Sequence, residues 1–213
     1  MKIVFLVSSG GGNLKFLLCA IRTGIISETE LFVIADRECR ALQFAKESML
    51  AYSQIRYHKN DNAQLLKALR DIEPDLIITT WHKILDAETV QVYRGKLINL
   101  HYSLLPAFAG MIGSTPIEKG VAAGCKYLGV TCHHVDESVD GGAIIAQAIV
   151  KNEGDLESLT QQLFKKGCLI LLNSIILLSE QPHAQHDRFD FEPSLTFDPQ
   201  IFDRPFWQSV AIL

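Results

Sequence analysis

Through roughly its first hundred residues the chain alternates short, continuous apolar runs with stretches of helical spacing, and few folds accommodate that pattern. Ile3-Val4-Phe5-Leu6-Val7 is apolar without interruption, as expected of a strand buried on both faces. Gly10-Gly11-Gly12 and Asn13 follow, and Leu14, Phe16, Leu17, Leu18 and Ile21 then give a helix a wide apolar face. The same reading predicts a strand over 31–35, a helix over 40–50, a weaker strand over 52–56 and a helix over 62–72. Leu76-Ile77-Ile78-Thr79-Thr80 and Leu97-Ile98-Asn99-Leu100 add two more buried strands. Strand, short loop and helix in repetition specify an α/β, Rossmann-like, mostly parallel sheet with helices on both faces.

Beyond His101 the texture changes. A loop containing Pro and Gly runs to Ser114, and a helix is expected over 116–123. Two strand-like runs over 127–135 and 143–150 are separated by Asp136-Glu137-Ser138-Val139-Asp140-Gly141-Gly142. A long helix from Leu156 to about Ser179 ends the regular pattern, and the remainder is rich in Pro, Asp and Phe. The expected organisation is therefore one domain over 1–180 with a C-terminal extension over 181–213 packing on its surface. A length of 213 residues fits that scheme.

Composition excludes several classes of function. With a net charge of −4 and no dense cluster of Lys and Arg, the chain is not expected to bind nucleic acid. Five cysteines with no C-x-x-C spacing suit reduced, mostly buried thiols in the cytoplasm. Met1 to Val7 is too short for the apolar core of a signal peptide. The longest apolar stretch, Cys168 to Leu178, is shorter than the ~20 residues of a spanning helix. No membrane association is expected.

Three loops carry candidate chemistry. In Ser8-Ser9-Gly10-Gly11-Gly12-Asn13-Leu14, glycines at a strand-to-helix junction let backbone N–H groups approach an anion such as phosphate. The same loop also reads as a tight turn with Asn13 as helix N-cap. It is neither G-x-G-x-x-G nor a P-loop. Asn99-Leu100-His101 lies at the carboxyl end of a strand, where open parallel sheets bind ligands. Alternation puts Asn99 and His101 on one side of the chain, where an amide donor beside an imidazole suits charge developing on a carbonyl oxygen. Asp140-Gly141-Gly142 reads as a turn able to aim a carboxylate at His101, where opposite charges attract. His133 and His134 alternate along their strand, so only one of them faces the site. No H-E-x-x-H, H-x-H or zinc-type Cys/His spacing is present, so no metal is expected. The absence of G-x-S-x-G leaves no serine nucleophile, and Cys132 reads as a buried, inert thiol.

Ile98-Asn99-Leu100-His101-Tyr102-Ser103-Leu104-Leu105-Pro106, followed in order by Asp140-Gly141-Gly142, resembles the formyltransferase family. That family includes glycinamide ribonucleotide, methionyl-tRNA and nucleotide-sugar formyltransferases. The resemblance runs from Met1 to about Leu178. It implies a one-carbon transferase using 10-formyltetrahydrofolate and a small-molecule amine, with Asn99, His101 and Asp140 catalytic. Gly10, Gly11, Gly12 and Asn13 then bind the acceptor. His82, Lys83, Ile84 and Leu85, in a stretch that packs around the pterin, line the folate site with His133 and Val139. Glycinamide ribonucleotide in purine biosynthesis is the leading acceptor. A nucleotide-linked amino sugar, or hydrolysis of formyltetrahydrofolate, is the alternative. The resemblance is compatible with a homodimer. The chain departs from the family at Tyr102, usually Pro, and at Gly167-Cys168, where the glycinamide ribonucleotide enzymes carry a substrate-contacting Glu-His pair.

Overall fold

The computed structural model describes residues 1–179 together with Gln208 and Ser209. Its strands are β1 (Lys2–Val7), β2 (Glu30–Ala35), β3 (Ala51–Gln54), β4 (Leu76–Thr80), β5 (Leu97–His101), β6 (Tyr127–His134) and β7 (Ile144–Lys151). They form one 7-stranded sheet in the order β3-β2-β1-β4-β5-β6-β7. The first five strands are mutually parallel, whereas β6 and β7 add antiparallel on the β5 side. The mostly parallel sheet expected from the sequence is what forms.

The helices are α1 (Gly12–Arg22), α2 (Arg40–Glu47), α3 (Ala63–Ile72), α4 (Ala87–Val92), α5 (Thr115–Ala122) and α6 (Leu156–Leu178). Alternation along β1 sends its side chains into two cores. Ile3, Phe5 and Val7 pack with residues of α1, α2 and α6, including Leu17, Leu42 and Ile170. Val4 and Leu6 pack instead with Leu65 and Leu69 of α3 and Val90 of α4. A strand apolar on both faces is thus explained by helices covering both faces.

Several boundaries differ from expectation for identifiable reasons. Met49 adopts a left-handed φ of 57°, so α2 stops at Glu47 rather than Leu50. The third strand is Ala51–Gln54 rather than 52–56. Helix α4 has no counterpart in the sequence reading. Its signal is the N-cap Asp86, whose side chain accepts the Thr89 N–H. Asn13 is not the N-cap of α1. Gly11 holds that position at φ 78°, and the helix starts at Gly12 with Asn13 buried in its first turn. At 23 residues α6 is long and apolar enough by length and composition to cross a bilayer, unlike the shorter run read from the sequence. Leu163, Cys168, Leu171 and Ile175 on it are buried. Only Cys132 and Cys168 are buried among the cysteines, and the other three are partly exposed. The expected surface packing of 181–213 falls outside the described residues apart from Gln208 and Ser209.

Strand order places the site. β1 is flanked by β2 and β4, so connections leave it in opposite directions along the sheet. A crevice opens at the carboxyl ends of strands at such a switch point. The glycine loop leaves β1 there, 81–85 leaves β4, and His101 ends the next strand.

Candidate active site

β5 and β6 bring the candidate catalytic side chains together. Asn99 pairs with His133 across the antiparallel ladder, and an irregularity between Cys132 and His133 follows directly on that strand. The Asp140 carboxylate reaches both histidines, with Oδ2 3.3 Å from His101 Nδ1 and Oδ1 3.7 Å from His133 Nε2. Asp140 Oδ2 also accepts the Gly110 N–H at 2.8 Å. His101 is buried, and its other nitrogen, Nε2, lies 3.0 Å from the Phe108 carbonyl oxygen. Nε2 is thus in hydrogen-bonding range of the Phe108 carbonyl, while Nδ1 lies within ion-pair distance of Asp140.

The turn that aims Asp140 is not made as the sequence suggested. Asp140 itself takes the left-handed φ of 54°, which neither glycine after it does. Asp tolerates that region better than most residues, and such conformations gather at functional sites. Gly142 is required for a different reason: a Cβ there would collide with the His134 carbonyl oxygen.

His133 is fully enclosed behind Asn99. Its Nδ1 lies 2.8 Å from the His134 carbonyl oxygen and its Nε2 lies 3.4 Å from Asn99 Nδ2. Burial lowers its pKa below the ordinary 6.5, while the His134 carbonyl and the Asp140 carboxylate oppose the shift. The resulting neutral ring carries hydrogen on Nδ1 and offers a lone pair at Nε2.

These groups open into a cleft of about 390 Å³, within the size range of small-molecule sites. Every site residue predicted from the sequence lines it. Gly10, Gly11, Gly12 and Asn13 line it, as do His82, Lys83, Ile84, Leu85 and Val139. Ile84 and Val139 are half-exposed at its mouth, an apolar rim suited to a flat ring. Two of the glycines are demanded by packing as well as by any ligand. A Cβ on Gly11 would come within 2.7 Å of Ala41 Cβ, and one on Gly12 within 2.7 Å of Phe164.

The two departures noted in the sequence meet in space. The ring of Tyr102 lies over the bare backbone of Gly167, where a Cβ would approach Cε1 and Oη to 3.4 Å. The Asn13 side chain bonds the Tyr102 phenol, and its Oδ1 accepts from Cys168 Sγ at 3.5 Å. Burial raises the Tyr102 phenol well above its usual range, so it stays neutral. Asn13 thus links α1 to α6 and to the turn after β5 while lining the cleft. Phe108 and Gly110, whose backbone touches His101 and Asp140, were not singled out from the sequence. Backbone groups leave no trace in residue type.

The profile of the formyl transferase family matches residues 1–175. The chain belongs to the formyl transferase family. It is 33% identical over 156 residues to the phosphoribosylglycinamide formyltransferase of Haemophilus influenzae, covering 70% of this chain and 72% of that one. It is 31% identical over 202 residues to the trifunctional purine biosynthetic protein adenosine-3 of Drosophila melanogaster, covering 86% of this chain but 15% of that protein. The glycinamide ribonucleotide transformylase 1 of Symbiobacterium toebii superposes with a TM-score of 0.78 at 26% identity, over 88% of this chain and 92% of that one. The formyltransferase fold read from the sequence is therefore the fold observed.

Proposed function

We propose that this formyltransferase moves the formyl group of 10-formyltetrahydrofolate onto the primary amine of glycinamide ribonucleotide, a step of purine biosynthesis. The observation carrying the reading is the convergence of Asn99, His101 and Asp140 in one cleft. The same cleft is lined by a glycine loop suited to a phosphate and by an apolar rim suited to a pterin. The similar Haemophilus influenzae and Symbiobacterium toebii enzymes are named for this acceptor, which supports the choice.

The amine nitrogen bonds to the formyl carbon as the carbonyl π pair moves to oxygen. Asn99 donates a hydrogen bond to that oxygen as charge develops on it. Collapse re-forms the carbonyl and breaks the bond to the donor nitrogen, which receives a proton from His101. The attacking nitrogen loses its proton through water to Asp140. His82 to Leu85 with Val139 hold the donor, and the backbone of Gly10 to Gly12 holds the acceptor phosphate. The unit carrying this chemistry is 1–180, working in the cytoplasm on small molecules. The test is formation of formylglycinamide ribonucleotide from the two substrates, with a no-amine control. Donor consumption without amine, or no product with amine, removes the assignment.

A further inference from the structure

Sheet register brings three loop starts side by side. Val7 is the partner of both Ala35 and Thr80, so Ser8, Asp36 and Trp81 leave the sheet at the same level on neighbouring strands. The Asp36 side chain is only 2% exposed. A carboxylate so enclosed requires partners. Arg37 supplies Nη2 at 2.7 Å and Nε at 3.1 Å, and the Ser8 hydroxyl donates to Oδ1 at 2.8 Å. A serine has one hydrogen to give. Having given it to Asp36, Ser8 Oγ accepts the backbone N–H of His82 at 3.1 Å. The polarity of the relay is therefore set by Asp36, which can only accept. Burial opposes ionisation of Asp36, but the hydrogen bonds from Arg37 and Ser8 outweigh it and hold its pKa below the usual carboxylate value. The Trp81 indole N–H adds to that effect, although it falls outside hydrogen-bonding geometry.

Ser8 leads into the glycine loop and His82 opens the 82–85 stretch, and both of these loops line the cleft. The far end of that stretch is held separately, where the Tyr57 hydroxyl donates to the Ile84 carbonyl at 3.2 Å. The near end has the Ser8 link.

We propose that Ser8 and Asp36 are positioning residues that tie the 82–85 stretch to the glycine loop and thereby fix the spacing between the donor and acceptor sides of the cleft. The assignment of those sides rests on the function proposed above. Neither residue touches the reacting atoms. They act through the backbone of the two loops, where displacements of about 1 Å can cost up to ~10² in rate.

The experiment pairs amide hydrogen exchange with kinetics on Ser8→Ala, Asp36→Ala, Asp36→Asn and the double variant Ser8→Ala/Asp36→Ala. Exchange at His82 to Leu85 is expected to rise in Ser8→Ala and equally in Asp36→Ala, while β6 stays protected. With glycinamide ribonucleotide and 10-formyltetrahydrofolate, both KM values should rise roughly tenfold together. Asp36→Asn still offers Ser8 an oxygen and should recover most of that loss. The double variant should be no worse than either single one, because both break the same link. Unchanged protection at His82 in Ser8→Ala overturns the tether, as does a double variant whose losses add. A wild-type protein that fails to formylate glycinamide ribonucleotide removes the substrate assignment instead, and the exchange measurement still decides the tether.

Discussion

His133 presents the lone pair of its Nε2 to the carboxamide nitrogen of Asn99, 3.4 Å away. Its other nitrogen is occupied by the His134 carbonyl, and burial keeps the ring neutral. That relationship decides which way round the Asn99 amide sits. Nδ2 faces His133, and its second hydrogen is left for the cleft. A histidine expected to line the donor site is thus also the support of the proposed oxyanion donor.

Replacing His133 with Phe keeps a ring in the cavity but removes the acceptor that orients Asn99. Turnover should fall about tenfold, less than the ~10²–10³ expected for loss of the donor itself in Asn99→Ala. The two changes should not add. Full turnover in His133→Phe, measured by initial rates, sinks the orienting role.

His101→Ala removes the group proposed to protonate the leaving nitrogen. A fall of ~10²–10³ in kcat is expected, with donor affinity nearly intact because His82 to Leu85 remain. Steady-state rates together with donor binding by calorimetry test it. A kcat within about threefold of wild type removes His101 from the mechanism.

Asp140→Asn retains an oxygen for the Gly110 N–H but withdraws the charge that faces both histidines. Turnover should drop and the shape of the rate–pH profile should change, while the loop anchored at Gly110 stays closed. An active variant with the wild-type profile would falsify the electrostatic role and leave Asp140 as a turn residue.

The glycine loop cannot be probed cleanly by adding bulk at Gly11, since any Cβ there strikes Ala41 and loses stability along with any ligand contact. Competition is the better measurement. Inorganic phosphate should inhibit competitively against the acceptor and not against the folate donor. Inhibition competitive with the donor alone would move the phosphate site elsewhere.

Stability should fall as the solution is acidified through the ordinary histidine range. The lowered pKa of His133 means that the unfolded chain binds its proton more readily, so falling pH draws protein toward the unfolded state. The loss begins near 6.5, the unperturbed value, and levels off below the lowered folded one. Urea midpoints between about pH 7.5 and about pH 5.5 should therefore slope less in His133→Gln than in wild type. Equal slopes argue against a buried neutral ring.

The sequence by itself determined the central strands, because one covered on both faces, such as β1, is apolar along most of its length, and that signal is local. It also singled out Asn99, His101 and Asp140 as a group, since their types and order carry the family resemblance. The short α4 escaped, because six residues give too little periodicity to stand out. What the tertiary structure alone decided are relations between segments distant in the chain. Asn13 was read as part of an acceptor-binding loop or as the cap of its own helix, and α6 and the turn after β5 draw it into a contact with Tyr102 and Cys168 that no local pattern encodes. The turn before Gly141 puts its left-handed φ on Asp140, and Gly142 is needed because the His134 carbonyl lies beside it. Ser8, Asp36 and His82 meet because β1, β2 and β4 end in register, and strand register depends on pairing between segments rather than on the composition of any one of them.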